Sequence, residues 1–135
     1  MTPKEYLMQY RQSMERTAEI EQHLNELKAE AYALKTHEGK SVALDAAVAK
    51  YVDACNASAR ELTQLEALRT SIKDAINFVP DKRYKHLLWE IYINGKKIVR
   101  IAADEERSYE HICRLHGCAL QELGKCIVFP ERSPL

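Results

Sequence analysis

Long apolar runs and chain-breaking residues are both scarce in this 135-residue sequence. No uninterrupted apolar run approaches the roughly 18 residues of a membrane span, so we expect no membrane partner. Glycine and proline number only four each, which favours a helical protein over a disordered one. The first five residues lack the apolar stretch of a signal peptide, so we expect a cytoplasmic protein with its cysteines as free thiols.

Catalytic and metal-binding patterns are missing too. The sequence has no P-loop, no nucleophile with an evident base and no paired carboxylates with a supporting cleft, so we expect no enzyme activity. Five possible zinc ligands lie close together in the chain, but they include no Cys-x-x-Cys pair and their helical spacing points them in different directions. These are His111, Cys113, His116, Cys118 and Cys126. We expect no metal and no cofactor.

The charge balance gives little sign of a polyanionic partner. Twenty basic and 20 acidic residues leave a net charge of zero. Residues 1–80 carry 10 basic and 12 acidic residues, whereas residues 81–135 carry 10 and 8. Because the basic excess of the second part is small, any affinity for nucleic acid should fall quickly with salt.

Two long helices are predicted in residues 1–80. Thr2 and Glu5 suit a reciprocal capping box around Pro3. Apolar and small residues then recur at alternating steps of three and four, as in a coiled-coil seam. This seam is Tyr6, Tyr10, Ser13, Thr17, Ile20, Leu24, Leu27, Ala31 and Leu34. A turn is predicted over residues 36–41, and a second series ends before Pro80. The second series is Val48, Tyr51, Cys55, Ser58, Leu62, Leu65, Ile72 and Ile76.

These two series predict a long antiparallel helical hairpin. Each helix of such a pair buries only one face, so the hairpin must also pack on a second copy or on the carboxy-terminal segment. Of these two packings we expect the homodimer.

Three shorter helices are predicted in residues 81–124. Asp81 caps the third helix, which stops at Asn94-Gly95, and Ser108 caps the fifth, which ends at Gly124 as a C′ residue. The predicted core positions are Leu87, Leu88, Trp89, Ile91, Tyr92, Ile98, Ile101, Ala102, Ile112, Leu115, Ala119 and Leu123. Residues 92–123 have the outline of a helix-turn-helix. The predicted fold is all-α, with a hairpin at 1–80, a helix-turn-helix head at 81–124 and a tail at 125–135.

This pattern resembles region four of bacterial sigma factors and, more closely, a family of small phage and prophage proteins in which a helical hairpin precedes a region-four-like helix-turn-helix. The matching segments are residues 2–7, Tyr92-Ile93-Asn94-Gly95-Lys96, Ile101-Ala102, Ser108, Arg114-Leu115-His116-Gly117 and Ala119-Leu120. The resemblance implies a regulator of phage transcription related to the ArpU-type late-gene regulators. Much of this family is known only as domains of unknown function.

The chain departs from the family pattern between the fourth and fifth helices. Glu105 replaces a core Leu, and Glu106 replaces a Gly that takes positive φ more easily. Lys97 stands where a capping Ser is usual. Carboxylates at positions 104–106 follow a helix C-terminus, where the helix dipole disfavours them, and they would repel phosphate. The motif is therefore weakened or repurposed.

Docking of a helix-turn-helix on double-stranded DNA would place the start of the fifth helix against base edges. Arg114 is the strongest candidate, since a guanidinium can bind guanine through two hydrogen bonds. The predicted base-facing set is Ser108, Tyr109, Glu110, His111, Cys113, Arg114 and Gly117. The predicted clamps on the DNA backbone are Lys96, Lys97, Arg100 and Arg107. The alternative for both sets is a group of solvated charges on a small helical head.

Two functions remain open from the sequence. The chain is either a DNA-binding transcriptional regulator or a non-catalytic adaptor with a degenerate helix-turn-helix. The adaptor would bind RNA polymerase or another phage protein through its hairpin.

Overall fold

A computed structural model describes residues 1–35 and 41–127, and this part of the chain is helical without strands. Its helices are α1 (Pro3–Lys35), α2 (Ser41–Asn77), α3 (Lys82–Leu88), α4 (Ile98–Asp104) and α5 (Tyr109–Cys126), with a π-helical segment at Trp89–Ile93 that directly continues α3. The all-α prediction is confirmed. None of the helices in these ranges is long and apolar enough to cross a membrane. The predicted turn lies outside the described residues except for Ser41, which begins α2. The tail beyond residue 127 lies outside them as well.

The chain divides into two compact units. One combines Met1–Gln12 with the residues from Leu68 onward, and the other is Ser13–Ala67. The predicted domain boundary at residue 80 falls inside the first unit. The start of α1 and the end of α2 therefore belong with the shorter helices.

Within Ser13–Ala67, α1 and α2 run antiparallel. The hydroxyl of Ser13 donates a 3.2 Å hydrogen bond to the carbonyl of Leu65, and Arg16 lies 2.6 Å from Glu61. The predicted seam of α1 is confirmed, because its members are buried or half-buried along the whole helix. The face predicted for α2 is less covered, and Val48 is 43% exposed.

The other unit has a core to which α1, α2, α3, the π-helical segment and α5 contribute. A capping box begins α1 as predicted, since Thr2 and Glu5 exchange two hydrogen bonds of 3.2 Å. Two residues after this capping box, Leu7 is fully buried. The cluster around it is Tyr6, Tyr10, Ile72, Ala75, Ile76, Val79, Leu88, Tyr92, Ala119 and Leu123. The ends of α1 and α2 thus pack on the carboxy-terminal segment, one of the two packings predicted. The homodimer stays a prediction.

A second, smaller core joins α3, α4 and α5. Its buried members are Leu87, Ile101, Ala102 and Ile112, with Ile91, Ile98 and Leu115 packed against them. Ile91 also packs against the larger cluster. The π-helical segment therefore contributes to both cores.

The predicted start and end of the third helix are confirmed, but the predicted end of the fifth helix is not. Asp81 caps α3 by accepting a 2.8 Å hydrogen bond from the N–H of Arg83. The third helical stretch stops at Gly95, whose φ of 71° is the left-handed conformation that glycine adopts readily. The prediction for Gly124 is wrong, because α5 continues to Cys126. A Cβ at Gly124 would lie 3.3 Å from Cγ of Pro3, so this glycine allows close packing instead of ending the helix.

Candidate nucleic-acid interface

Helix α5 begins at a formed N-cap. The side-chain oxygen of Ser108 accepts a 3.1 Å hydrogen bond from the backbone N–H of His111. It thereby satisfies one of the N–H groups that a helix leaves without an intrahelical partner. The predicted cap is confirmed, and it fixes Tyr109 as the first residue of α5.

One face of α5 is buried and the opposite face is open. The fully buried side chains are Ile112, Ala119 and Leu123. Glu110, Arg114 and Gly117 are exposed and follow one another at steps of four and three residues. This spacing places them in one stripe along the helix, opposite the core.

Most of the predicted base-facing residues are accessible. The exposed ones are Ser108, Tyr109, Glu110, His111, Arg114 and Gly117. Cys113 is half-buried, and its hydrogen bond with the hydroxyl of Tyr109 raises the pKa of that tyrosine. A Cβ at Gly117 would meet no atom within 4 Å, so a ligand could approach the backbone there.

Gln121 is a further member of the exposed stripe that was not predicted. It lies four residues after Gly117 and is exposed. Its amide could both donate to and accept from a base edge, as glutamine does with adenine. The signal was present in the sequence, since position 121 continues the steps of four and three that begin at Glu110.

The connection between α4 and α5 is a Schellman motif. The N–H of Arg107 donates to the carbonyl of Ala102 at 2.9 Å, and the N–H of Glu106 donates to that of Ala103 at 3.3 Å. Glu106 has a φ of 56°, which is the left-handed conformation that this motif requires at its C′ position. Glu105 is exposed and lies 3.7 Å from His86, so its side chain is not part of the core.

Two of the predicted backbone clamps are paired with carboxylates. Lys96 lies 2.7 Å from Glu90 and 3.8 Å from Asp104. Arg100 lies 3.9 Å from the same Asp104. The pairing with Lys96 lowers the pKa of Glu90 and raises that of Lys96. Asp104 thus partly neutralises the two cations.

The other two predicted clamps are exposed. Lys97 precedes α4 at the N-cap position and makes no side-chain capping bond. Arg107 lies directly before the N-cap of α5 and is exposed.

A basic groove of about 740 Å³ lies between α3 and α5. It is lined by Lys82, Arg83, His86, Leu87, Glu105, Arg107, His111 and Leu115. The sequence predictions included Arg107 and His111 but missed Lys82, Arg83 and His86. No local pattern indicates these three, because they meet α5 only when α3 packs against it.

The possible zinc ligands of α5 do not converge. In the part of the chain that the structure describes, no three His, Cys, Asp or Glu side chains form a group able to hold a metal ion. His116 instead packs against Tyr92, with its Nε2 2.8 Å from the tyrosine hydroxyl. Burial, and next the charge of Lys4, lowers the pKa of His116, which is typical of an imidazole held neutral in a core.

The exposed stripe of α5 and the neighbouring groove together form a surface that could contact a polyanion. Comparisons with protein-family models, curated proteins and solved structures found no match to this chain.

Proposed function

We propose that the chain is a non-catalytic, DNA-binding transcriptional regulator whose α4 and α5 form a helix-turn-helix similar to sigma region four. The observation that carries the proposal is the exposed stripe of Glu110, Arg114, Gly117 and Gln121 on a capped helix whose opposite face is buried. A rigid helix presenting such side chains has the form of a recognition helix. The phage origin and a homodimer through the long helices are part of this proposal.

Arg114 has the central role in sequence reading. It lies in the middle of the stripe, is exposed, and forms no ion pair among the described residues. Its guanidinium is therefore available for two hydrogen bonds to guanine O6 and N7. Glu110 and Gln121 lie one turn before and two turns after it, so they would contact neighbouring base pairs.

The test is selection of a binding duplex from a pool with a randomised centre, followed by fluorescence anisotropy with the enriched duplex and a scrambled one. We expect the wild type to prefer the enriched duplex and Arg114→Ala to lose about 1–3 kcal/mol of that preference. Arg60→Ala is the matched control, because Arg60 is an exposed arginine of α2 in the other unit. Equal binding of the two duplexes by the wild type would contradict sequence-specific regulation.

A second candidate is an adaptor that binds RNA polymerase or another phage protein through α1 and α2. The ion pairs of Lys96 and Arg100 with Asp104 favour the adaptor, because they make these two predicted DNA contacts less available to phosphate. Pull-down with purified bacterial RNA polymerase in the absence of DNA tests this candidate. Retention of polymerase by a chain that binds neither duplex would favour the adaptor over the regulator.

A further inference from the structure

Some of the basic residues near α4 and α5 are paired with carboxylates, and others are not. Lys96 lies 2.7 Å from Glu90 and 3.8 Å from Asp104, and Arg100 lies 3.9 Å from Asp104. A phosphate at this position would have to displace Asp104, and the carboxylate would repel it. These two clamps are therefore poorly suited to a DNA backbone.

The groove between α3 and α5 has more basic than acidic side chains in its lining, and two of its cations have no carboxylate partner among the described residues. Lys82 and Arg107 are exposed and form no ion pair in the described ranges. Arg83 is held 3.3 Å from Asp81, and Glu105, the one carboxylate lining the groove, lies 3.7 Å from His86. Two unpaired cations thus border the groove, together with the imidazoles of His86 and His111.

The shape and lining of the groove fit a sugar–phosphate unit better than a lone anion. Leu87 and Leu115 supply apolar surface between the basic side chains. A volume of about 740 Å³ exceeds that of a single phosphate and leaves room for an adjoining deoxyribose. Apolar surface can cover the sugar ring while Lys82 and Arg107 hold the phosphate.

The groove is also next to the proposed reading surface. His111 lines the groove and lies in the first turn of α5, and Arg107 directly precedes the N-cap of that helix. A backbone bordering the major groove that α5 enters would pass over these residues.

We propose that the groove between α3 and α5 binds a phosphodiester of the DNA backbone, with Lys82 and Arg107 as its main cationic contacts. This inference rests on the proposed function and moves the backbone contact from Lys96 and Arg100 to a site that includes α3. Contacts of this kind fix the position of a protein on DNA without reading its sequence.

Two double variants with the same change in charge test the inference. Lys82→Gln with Arg107→Gln removes the groove cations, and Lys96→Gln with Arg100→Gln removes the paired ones. Anisotropy with the enriched and the scrambled duplex is measured over a series of salt concentrations. Each phosphate contact contributes about 0.9 to the slope of log K against log salt. We expect the groove variant to flatten that slope by about 0.9 on both duplexes, and the other variant to leave it unchanged.

The outcomes separate this inference from the proposed function. A slope that flattens only with Lys96→Gln and Arg100→Gln, or with neither variant, overturns the groove as the phosphate site, even where the wild type binds specifically. Groove-dependent binding that is equal on both duplexes supports the groove and contradicts sequence-specific regulation. Failure of the wild type to bind either duplex at low salt overturns both.

Urea unfolding of each variant shows whether it is folded under the binding conditions. Addition of inorganic phosphate tests whether the groove binds a phosphate of the DNA backbone or a free phosphate ion. Displacement of the duplex by millimolar phosphate at constant ionic strength would show that the groove prefers the free anion to the DNA backbone.

Discussion

Glu106 adopts a backbone conformation that residues with a side chain generally avoid. Its φ of 56° lies in the left-handed region, where a Cβ approaches the following carbonyl and costs roughly 1–2 kcal/mol. The Schellman motif at the end of α4 requires this conformation at its C′ position. The strain therefore results from local geometry, and the position is suited to glycine.

We expect Glu106→Gly to raise the free energy of unfolding by about 1 kcal/mol, because glycine adopts this φ without the steric cost. Urea denaturation at pH 7 and constant ionic strength measures the change. Glu105→Gly is the matched control, since it removes the neighbouring carboxylate at a φ of −94°. Equal stabilisation by both substitutions would mean that loss of charge, and not relief of strain, is responsible.

At the scale of elements, one side-chain hydrogen bond connects α5 to the π-helical segment. His116 lies 2.8 Å from the hydroxyl of Tyr92 and is half-buried. Burial raises the pKa of Tyr92 to about 12 and lowers the pKa of His116. The folded chain consequently favours the neutral form of both side chains at pH 7.

A lowered pKa of His116 makes the fold sensitive to acid. The unfolded chain binds a proton on His116 near the ordinary value of about 6.5, whereas the folded chain binds it only at lower pH. The stability that the neutral imidazole contributes is therefore present above about pH 6.5 and is lost as the pH falls below that value.

We expect the free energy of unfolding to fall between pH 7.5 and pH 5.5, and to fall less in His116→Gln because its side chain does not titrate. Urea denaturation at several pH values checks this. Tyr92→Phe should retain the pH dependence, since burial is the larger cause of the shift. The same pH dependence in His116→Gln and in the wild type would contradict this role of His116.

The starts of α1, α3 and α5 were predictable from the sequence, because a cap depends on residues only two or three positions apart. Thr2, Asp81 and Ser108 all accept the expected hydrogen bonds. The end of α5 was not predictable, because Gly124 packs against Pro3, more than a hundred residues away in the chain. The π-helical continuation of α3 was not predicted either.

At the largest scale, α5 shares its core with the beginning of the chain. Leu7 is fully buried in the same cluster as Ala119 and Leu123. Removal of its side chain would leave a cavity beside α5, and large-to-small core substitutions of this kind cost about 2–5 kcal/mol. The proposed DNA-binding helices consequently depend on residues at the amino terminus.

We expect Leu7→Ala to destabilise the chain by about 2–5 kcal/mol and to reduce the protection of α5 amides against hydrogen exchange. Hydrogen exchange followed by mass spectrometry measures both effects. Met8→Ala is the matched control at the next position, where the side chain is 46% exposed, and it should change little. Unchanged protection of α5 in Leu7→Ala would show that α5 is stable without the amino-terminal residues.

The sequence by itself determined the helical class, the buried seam of α1 and the caps of α1, α3 and α5. Each of these follows from side chains within about one or two helical turns, where spacing alone decides which groups meet. Only the tertiary structure decided that residues 1–12 complete the core of α5, that Asp104 pairs with Lys96, and that Lys82 and Arg107 border one groove. These arrangements join residues of different helices and connections, so they depend on how the helices pack rather than on any local pattern.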